Sequence, residues 1–286
     1  MFAILSPSEK IKEFLPIIPV YLIIFEVIFT MNYTIIFNSS CSYFYRFFSL
    51  IFFQPLAIMT IVTHIKCMFT SPGYVPIPFK PIVPNSSNYN VNSREYCKKC
   101  NNPRPERAHH CKICKKCTLK MDHHCPWVYN CVGYYNQKNF YQFLFYATFG
   151  DLMGFILLLI KCYNTDFTIT HYIPKDVTIS NPFQLGYYFY EPIQTVVGCL
   201  CAFAMTVSIG TLFNKQTNML FNNQTTIEKK MYIDWENSPF YEKDKMKSFC
   251  SVMGNTYWDW ISLKFDGEDP FSFEKVKSYH QVDFYK

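Results

Sequence analysis

The chain has 286 residues, half of them hydrophobic and 19% aromatic, with a formal net charge of +6. That is more apolar material than a soluble core of this size requires, so membrane spans have to be sought before a soluble fold is entertained. The basic excess is modest and no single-face basic stripe stands out, which argues against nucleic acid and suits anionic lipid or a phosphorylated ligand.

A helix crosses a bilayer with about 20 predominantly apolar residues. Four stretches qualify: roughly Phe14 to Phe37, Phe47 to Met68, Phe140 to Ile160 and Pro192 to Phe213. The expected fold class is therefore an all-α integral membrane protein with four transmembrane helices. Glu26 in the first span and Asp151 in the third are expensive in hydrocarbon and should face the bundle or water. The start lacks a basic leader followed by a short apolar core, so the first span is expected to serve as the targeting signal. Eleven Lys or Arg lie between the second and third spans and ten lie from Lys215 onward. Basic residues stay on the cytoplasmic side during insertion, so both termini and the central loop should be cytosolic. Two glycosylation sequons, Asn32-Tyr33-Thr34 and Asn38-Ser39-Ser40, sit toward the opposite, lumenal end of the first hairpin.

Seven of the thirteen cysteines fall between Cys97 and Cys131, on the side predicted to be reducing, where disulfides are disfavoured. Cys97-x2-Cys100 is followed by Cys111-x2-Cys114-x2-Cys117, with histidine pairs at His109-His110 and His123-His124. Knuckles at this density indicate zinc. Two closed tetrahedral sites need eight ligands, which six cysteines and two histidines supply. Left over are Cys125, His123 and one member of the first histidine pair, beside Asp122. This surplus has the composition of a nucleophilic site: a thiol reacts as its thiolate, a histidine takes or shares the proton, and a carboxylate orients the ring.

Asp122-His123-His124-Cys125, in a cysteine-rich loop between the second and third of four spans, resembles the DHHC family of protein S-acyltransferases, or palmitoyltransferases. The likeness runs from Tyr96 to Phe143, through PRPERAHHC, KMDHHCPWV, NCVG and Asn136, and Thr225-Thr226-Ile227-Glu228 matches the family's TTxE signature. The resemblance implies one structural zinc on Cys97, Cys100, His110 and Cys117 and another on Cys111, Cys114, His124 and Cys131. It also implies Cys125 as nucleophile, His123 as general base and Asp122 as the residue orienting it. Acyl-CoA, palmitoyl-CoA in particular, is the implied co-substrate. Membrane lipid and proteins bearing cysteines near the bilayer are the implied partners, and an endomembrane (Golgi or ER) or the plasma membrane is the implied location.

The domain boundaries that follow are residues 1–68 for the N-terminal segment and first hairpin, and 69–139 for the linker and zinc domain. Residues 140–213 form the second hairpin and 214–286 the cytosolic tail. Gly150 would lie about 15 Å along the third helix from Phe140, where it either leaves room at the floor of an acyl cavity or makes a close helix contact. Trp127 either packs near the acyl chain or supports the turn at Pro126, and Thr225 and Thr226 are expected to anchor the tail near the active site. Of the loop cations, including Arg107 and Lys120, none is singled out for the CoA head. Ser71, Tyr129 and Ser248 stand where the family more often has Asp, Asn and Asn. Rival readings are a catalytically inactive zinc-stabilised scaffold or adaptor, and a transporter.

Overall fold

A computed structural model of the protein describes residues 11–12, 14–37, 43–77, 96–164, 182–232 and 234–264. Among the described residues there are four long helices: α1, Ile17–Phe37; α2, Tyr43–Phe69, with a π-helical turn at Ser49–Phe53; α3, Gln137–Asn164; and α4, Pro182–Phe221. Three short helices follow: α5, Thr226–Met231; α6, Lys245–Met253; and α7, Tyr257–Ile261. Among the described residues, Tyr43–Phe69, Gln137–Tyr163 and Pro192–Phe221 are long and apolar enough to cross a membrane, while Ile17–Tyr33 is apolar but shorter. Helix α1 starts at Ile17, just after Pro16, whose missing N–H breaks the ladder between α1 and the helical residue Phe14. The fourth apolar stretch starts at Pro192, as expected, but the helix that carries it begins ten residues earlier, at Pro182. Pro192 removes one backbone hydrogen bond without ending the helix.

The chain divides into two compact units, one of residues 17–62 and 142–215, the other of residues 1–16, 63–141 and 216–286. The first unit is a helical bundle whose core contains Val27, Met31, Tyr45, Phe53, Leu158 and Ala202. Glu26 faces the bundle: its carboxylate accepts from Gln194 Nε2 at 2.6 Å and Thr30 Oγ1 at 3.2 Å. The sequon residue Asn32 is likewise bonded within the bundle, to Ile28 O and Gln54 Nε2, while Asn38 lies outside the described residues. Asp151 and Gly150 line a narrow, partly open and mostly apolar cleft, together with residues such as Val27, Ala57, Phe143 and Met205.

A Cβ on Gly150 would lie 3.6 Å from Leu56 Cβ, an ordinary contact with α2, whereas one on Gly198 would lie 2.6 Å from Thr30 Cγ2. Gly198 makes the tighter of these two helix approaches.

Among its described residues the second unit has six short strands: β1, Tyr96–Cys97; β2, Asn102–Pro103; β3, His109–Cys111; β4, Lys116–Thr118; β5, His123–Cys125; and β6, Asn130–Val132. They pair as three antiparallel hairpins, β1–β2, β3–β4 and β5–β6. Asn130 links this module to the end of α2, its Nδ2 donating to Cys67 O, Met68 O and Thr70 O. Asn136 closes the approach to α3, accepting from Gly133 N and donating to Cys131 O. Gly133 itself admits no side chain, since a Cβ would stand 2.6 Å from Pro72 O.

The family departures have local explanations. Ser71 Oγ accepts from Gly73 N at 3.3 Å, the turn-forming role an Asp would play. Tyr129 occupies left-handed backbone at φ 51, which favours Asn, and its ring meets Phe14 edge-on at 5.9 Å. Ser248 is buried with its hydroxyl unpartnered among the described residues. The surrounding tail is nonetheless well packed: Phe249 meets Phe221, Tyr141 and Trp260, and Asp244 caps α6. Lys66 Nζ and Lys138 Nζ donate to Leu263 O and Lys264 O.

Candidate active site and metal centres

Successive side chains on a strand point to opposite faces, and the zinc module depends on that alternation. On β3, His110 turns toward Cys97, Cys100 and Cys117, while its neighbour Cys111 joins Cys114, His124 and Cys131. The hairpin registers bring the partners into line, with His110 opposite Cys117 and His124 opposite Cys131. Tetrahedral zinc with ordinary bond lengths separates two sulfurs by about 3.8 Å and a sulfur from a nitrogen by about 3.6 Å. In the first cluster Cys100 and Cys117 sulfurs are 3.7 Å apart, and His110 Nδ1 lies 3.6, 3.2 and 4.0 Å from Cys97, Cys100 and Cys117. In the second, Cys114 and Cys131 sulfurs are 3.5 Å apart and His124 Nδ1 lies 3.8, 3.4 and 3.7 Å from Cys111, Cys114 and Cys131. Both donor sets therefore fit zinc. Of the first histidine pair it is His110 that enters a cluster, and His109 does not.

The same alternation on β5 sets His123 and Cys125 on the face opposite His124. Cys125 is buried and belongs to neither cluster. His123 Nδ1 lies 2.7 Å from Asp122 Oδ2, and its ring meets Phe140 edge-on. Asp122 is itself buried. It is held by two more donors: Gln216 Nε2 reaches Oδ2 at 3.0 Å, and the Thr226 backbone N–H bonds Oδ1. Burial disfavours the Asp122 charge, but hydrogen bonds from His123, Thr226 and Gln216 outweigh it and hold the carboxyl below its ordinary range. Burial likewise works against a charged His123. Hydrogen bonding to Asp122 and Cys125, with the attraction of both, overcomes this and pushes its pKa up to about 9. At neutral pH the ring is an imidazolium, the partner that favours a reactive sulfur in its anionic form.

The remaining expected residues take different places. Thr226 reaches Asp122 through its backbone, while its hydroxyl turns to Met219 Sδ. Thr225 caps α5, accepting from Glu228 N while Glu228 accepts from Thr225 N. Trp127, in the turn Pro126–Val128, is half exposed, and its carbonyl lies 3.0 Å from His64 Nε2. Gly150 belongs to the helical unit.

Sequence reasoning overlooked Gln216, which carries no motif, and named Arg107 only as one of the loop cations. Arg107 forks onto Glu228 at 2.6 and 2.8 Å and bonds Asn223 Oδ1 and O, and its guanidinium lies 4.8 Å from the Phe240 ring centre. The partners are more than a hundred residues apart, so no local spacing could announce the pair. Both side chains are nearly buried, and removing one partner strands a charge. Arg107→Ala is expected to lower unfolding stability by about 3–5 kcal/mol, read by denaturant unfolding in detergent. Burial disfavours ionised Glu228, but Arg107 outweighs it and lowers its pKa from 4.5. The stabilisation is thus fully present above the ordinary value and is lost as pH falls through the depressed one.

A family model described as DHHC palmitoyltransferase matches residues 90–233, half of the chain. "Probable protein S-acyltransferase 15" of Arabidopsis thaliana is 30% identical over 237 residues, covering 77% of this chain and 86% of its own length. "Probable protein S-acyltransferase 13" of the same plant is 32% identical over 254 residues, 82% of this chain and 77% of its own. "Palmitoyltransferase ZDHHC3" of Rattus norvegicus is 28% identical over 229 residues, with 76% and 69% covered. Given agreement over this much of the sequence, the chain belongs to the DHHC palmitoyltransferase family.

Proposed function

We propose that this protein is a membrane S-acyltransferase that takes a long fatty acyl group from acyl-CoA onto Cys125 and passes it to cysteine thiols of other proteins. One observation carries the assignment: on a three-residue strand, His124 is committed to a metal cluster while Cys125 and an Asp122-bonded His123 are not. When bound, zinc supplies a rigid scaffold for the hairpins. The chemistry belongs to the chain's own groups.

In the first displacement the Cys125 thiolate attacks the thioester carbonyl carbon. The bond from that carbon to the CoA sulfur breaks, and the departing sulfur takes a proton from His123. In the second, His123 removes a proton from the acceptor cysteine, whose sulfur attacks the stored thioester and releases the Cys125 thiolate. Asp122 keeps the ring oriented and its charge compensated throughout. One thioester replaces another at each step, so the enzyme's work is thiolate activation and positioning. Purified protein incubated with labelled palmitoyl-CoA should acquire a hydroxylamine-sensitive label and obey ping-pong kinetics. An unlabelled protein would favour the scaffold reading.

Four spans with both termini and the zinc module on the cytosolic side agree best with the clustering of basic residues before α3 and after α4. The acyl chain is assigned to the apolar cleft of the helical unit. Each buried methylene contributes about 0.8 kcal/mol, so a sixteen-carbon tail gains roughly 10 kcal/mol there. Gly150 supports this use, because it lines the cleft and a side chain larger than a methyl there would compete with Leu56 and the cleft for space. Gly150→Leu should shift the preferred acyl-CoA toward shorter chains, and Gly150→Ala should do so less. An unchanged preference in a chain-length series for both variants would remove the cleft from the account.

A further inference from the structure

We infer that Gln216 is a positioning residue for acyl transfer: its amide nitrogen fixes the carboxylate that orients the catalytic histidine. The inference rests on the S-acyltransferase reading above. Gln216 lies near the end of α4, more than ninety residues from Asp122, and only 3% of it is exposed. A glutamine on that helix face would ordinarily be read as a packed polar residue. Here its Nε2 is 3.0 Å from Asp122 Oδ2, the same oxygen that lies 2.7 Å from His123 Nδ1.

The direction of the bond follows from chemistry. An ionised carboxylate only accepts, so the amide must present its NH2 group, and no other orientation of Gln216 satisfies the contact. Oδ2 therefore receives two donors, and the Thr226 N–H occupies Oδ1. Those three donors come from three segments: the zinc hairpin, the end of α4 and the start of α5. Without Gln216, Oδ2 would keep only the ring itself as donor, so ring and carboxylate could tilt together against the Thr226 bond alone. Gln216 removes that freedom. Its neighbour Thr217 bonds Tyr141 Oη at 3.2 Å, which holds this turn of α4 against the start of α3. Gln216 is thereby aimed by the helix rather than by its own flexible stem.

A hydrogen bond to a charged group of this kind, once lost in a buried site, is expected to slow the step it supports by roughly ten- to a hundredfold. The experiment is single-turnover acylation of full-length protein by palmitoyl-CoA, comparing wild type, Gln216→Ala and Gln216→Glu. Glutamate has nearly the same shape but cannot donate when ionised, so it should be at least as slow as alanine. For both variants the maximal acylation rate should fall while the half-saturating acyl-CoA concentration and the zinc content stay at wild-type values. A merely structural glutamine would instead lower zinc content or folded fraction in Gln216→Ala and leave the rate per folded molecule unchanged. That result, or two variants as fast as wild type, would overturn the assignment. Cys125→Ser in the same assay separates the two levels: if it still forms a thioester, the acyltransferase reading itself has failed.

Discussion

Cys125→Ser should abolish thioester formation and turnover, leaving zinc content and folding unchanged. Serine preserves size but replaces a polarizable thiolate with a hydroxyl that stays protonated near neutral pH, so the nucleophile is lost without disturbing the packing around a buried side chain. Zinc should be insensitive because the eight cluster donors exclude Cys125. His123→Ala is expected to slow acylation by about 10²–10⁴-fold, the usual worth of a positioned proton carrier. The contrast between a sulfur that is indispensable and a ring that is only accelerating distinguishes nucleophile from base, and acyl-labelling rates of the two purified variants measure it.

Removal of zinc should have the other largest effect, on folding rather than on chemistry alone. The strands of the module are two or three residues each, too short to hold together by their own ladders. Their cohesion comes from eight donors drawn from all three hairpins, with β3 supplying one to each cluster. Structural zinc sites of this type couple metal binding to folding. A strong chelator, or Cys117→Ser, is therefore expected to open the module to proteolysis and to abolish acylation even though Cys125 is intact. Metal analysis alongside limited proteolysis would show both changes together. Acylation that survived complete loss of zinc would contradict the structural role given to the clusters.

The comparison of sequence with structure has a physical pattern. Ligand spacing in the cysteine-rich loop was readable because zinc imposes a fixed donor count, and the surplus Cys125 followed by subtraction. Spacing alone did not say which histidine of the first pair binds. The family resemblance implied His110, and strand alternation, which puts His110 and Cys111 on opposite sides of β3, gives the physical reason. Three of the four expected spans coincide with helices long and apolar enough to cross a membrane, while hydropathy did not give the helix ends, because helices continue past the apolar stretch. Gln216 and Arg107 were invisible as site residues for a different reason. Each acts through a partner about a hundred or more positions away, and no local property of a Gln or an Arg records what the fold will bring to it. Tyr129 is the reverse case: its departure from the family pattern was legible, but its left-handed backbone and its contact with Phe14 were not.

The most direct measurement is the identity of the acylated atom. After brief exposure of the purified protein to palmitoyl-CoA, peptide mapping by mass spectrometry under non-reducing, neutral conditions should find the palmitoyl mass in thioester linkage on the peptide containing Cys125, with all eight cluster donors unmodified. The acyl group on Cys67, Cys250 or a cluster cysteine instead, with Cys125 bare, would contradict the proposed mechanism.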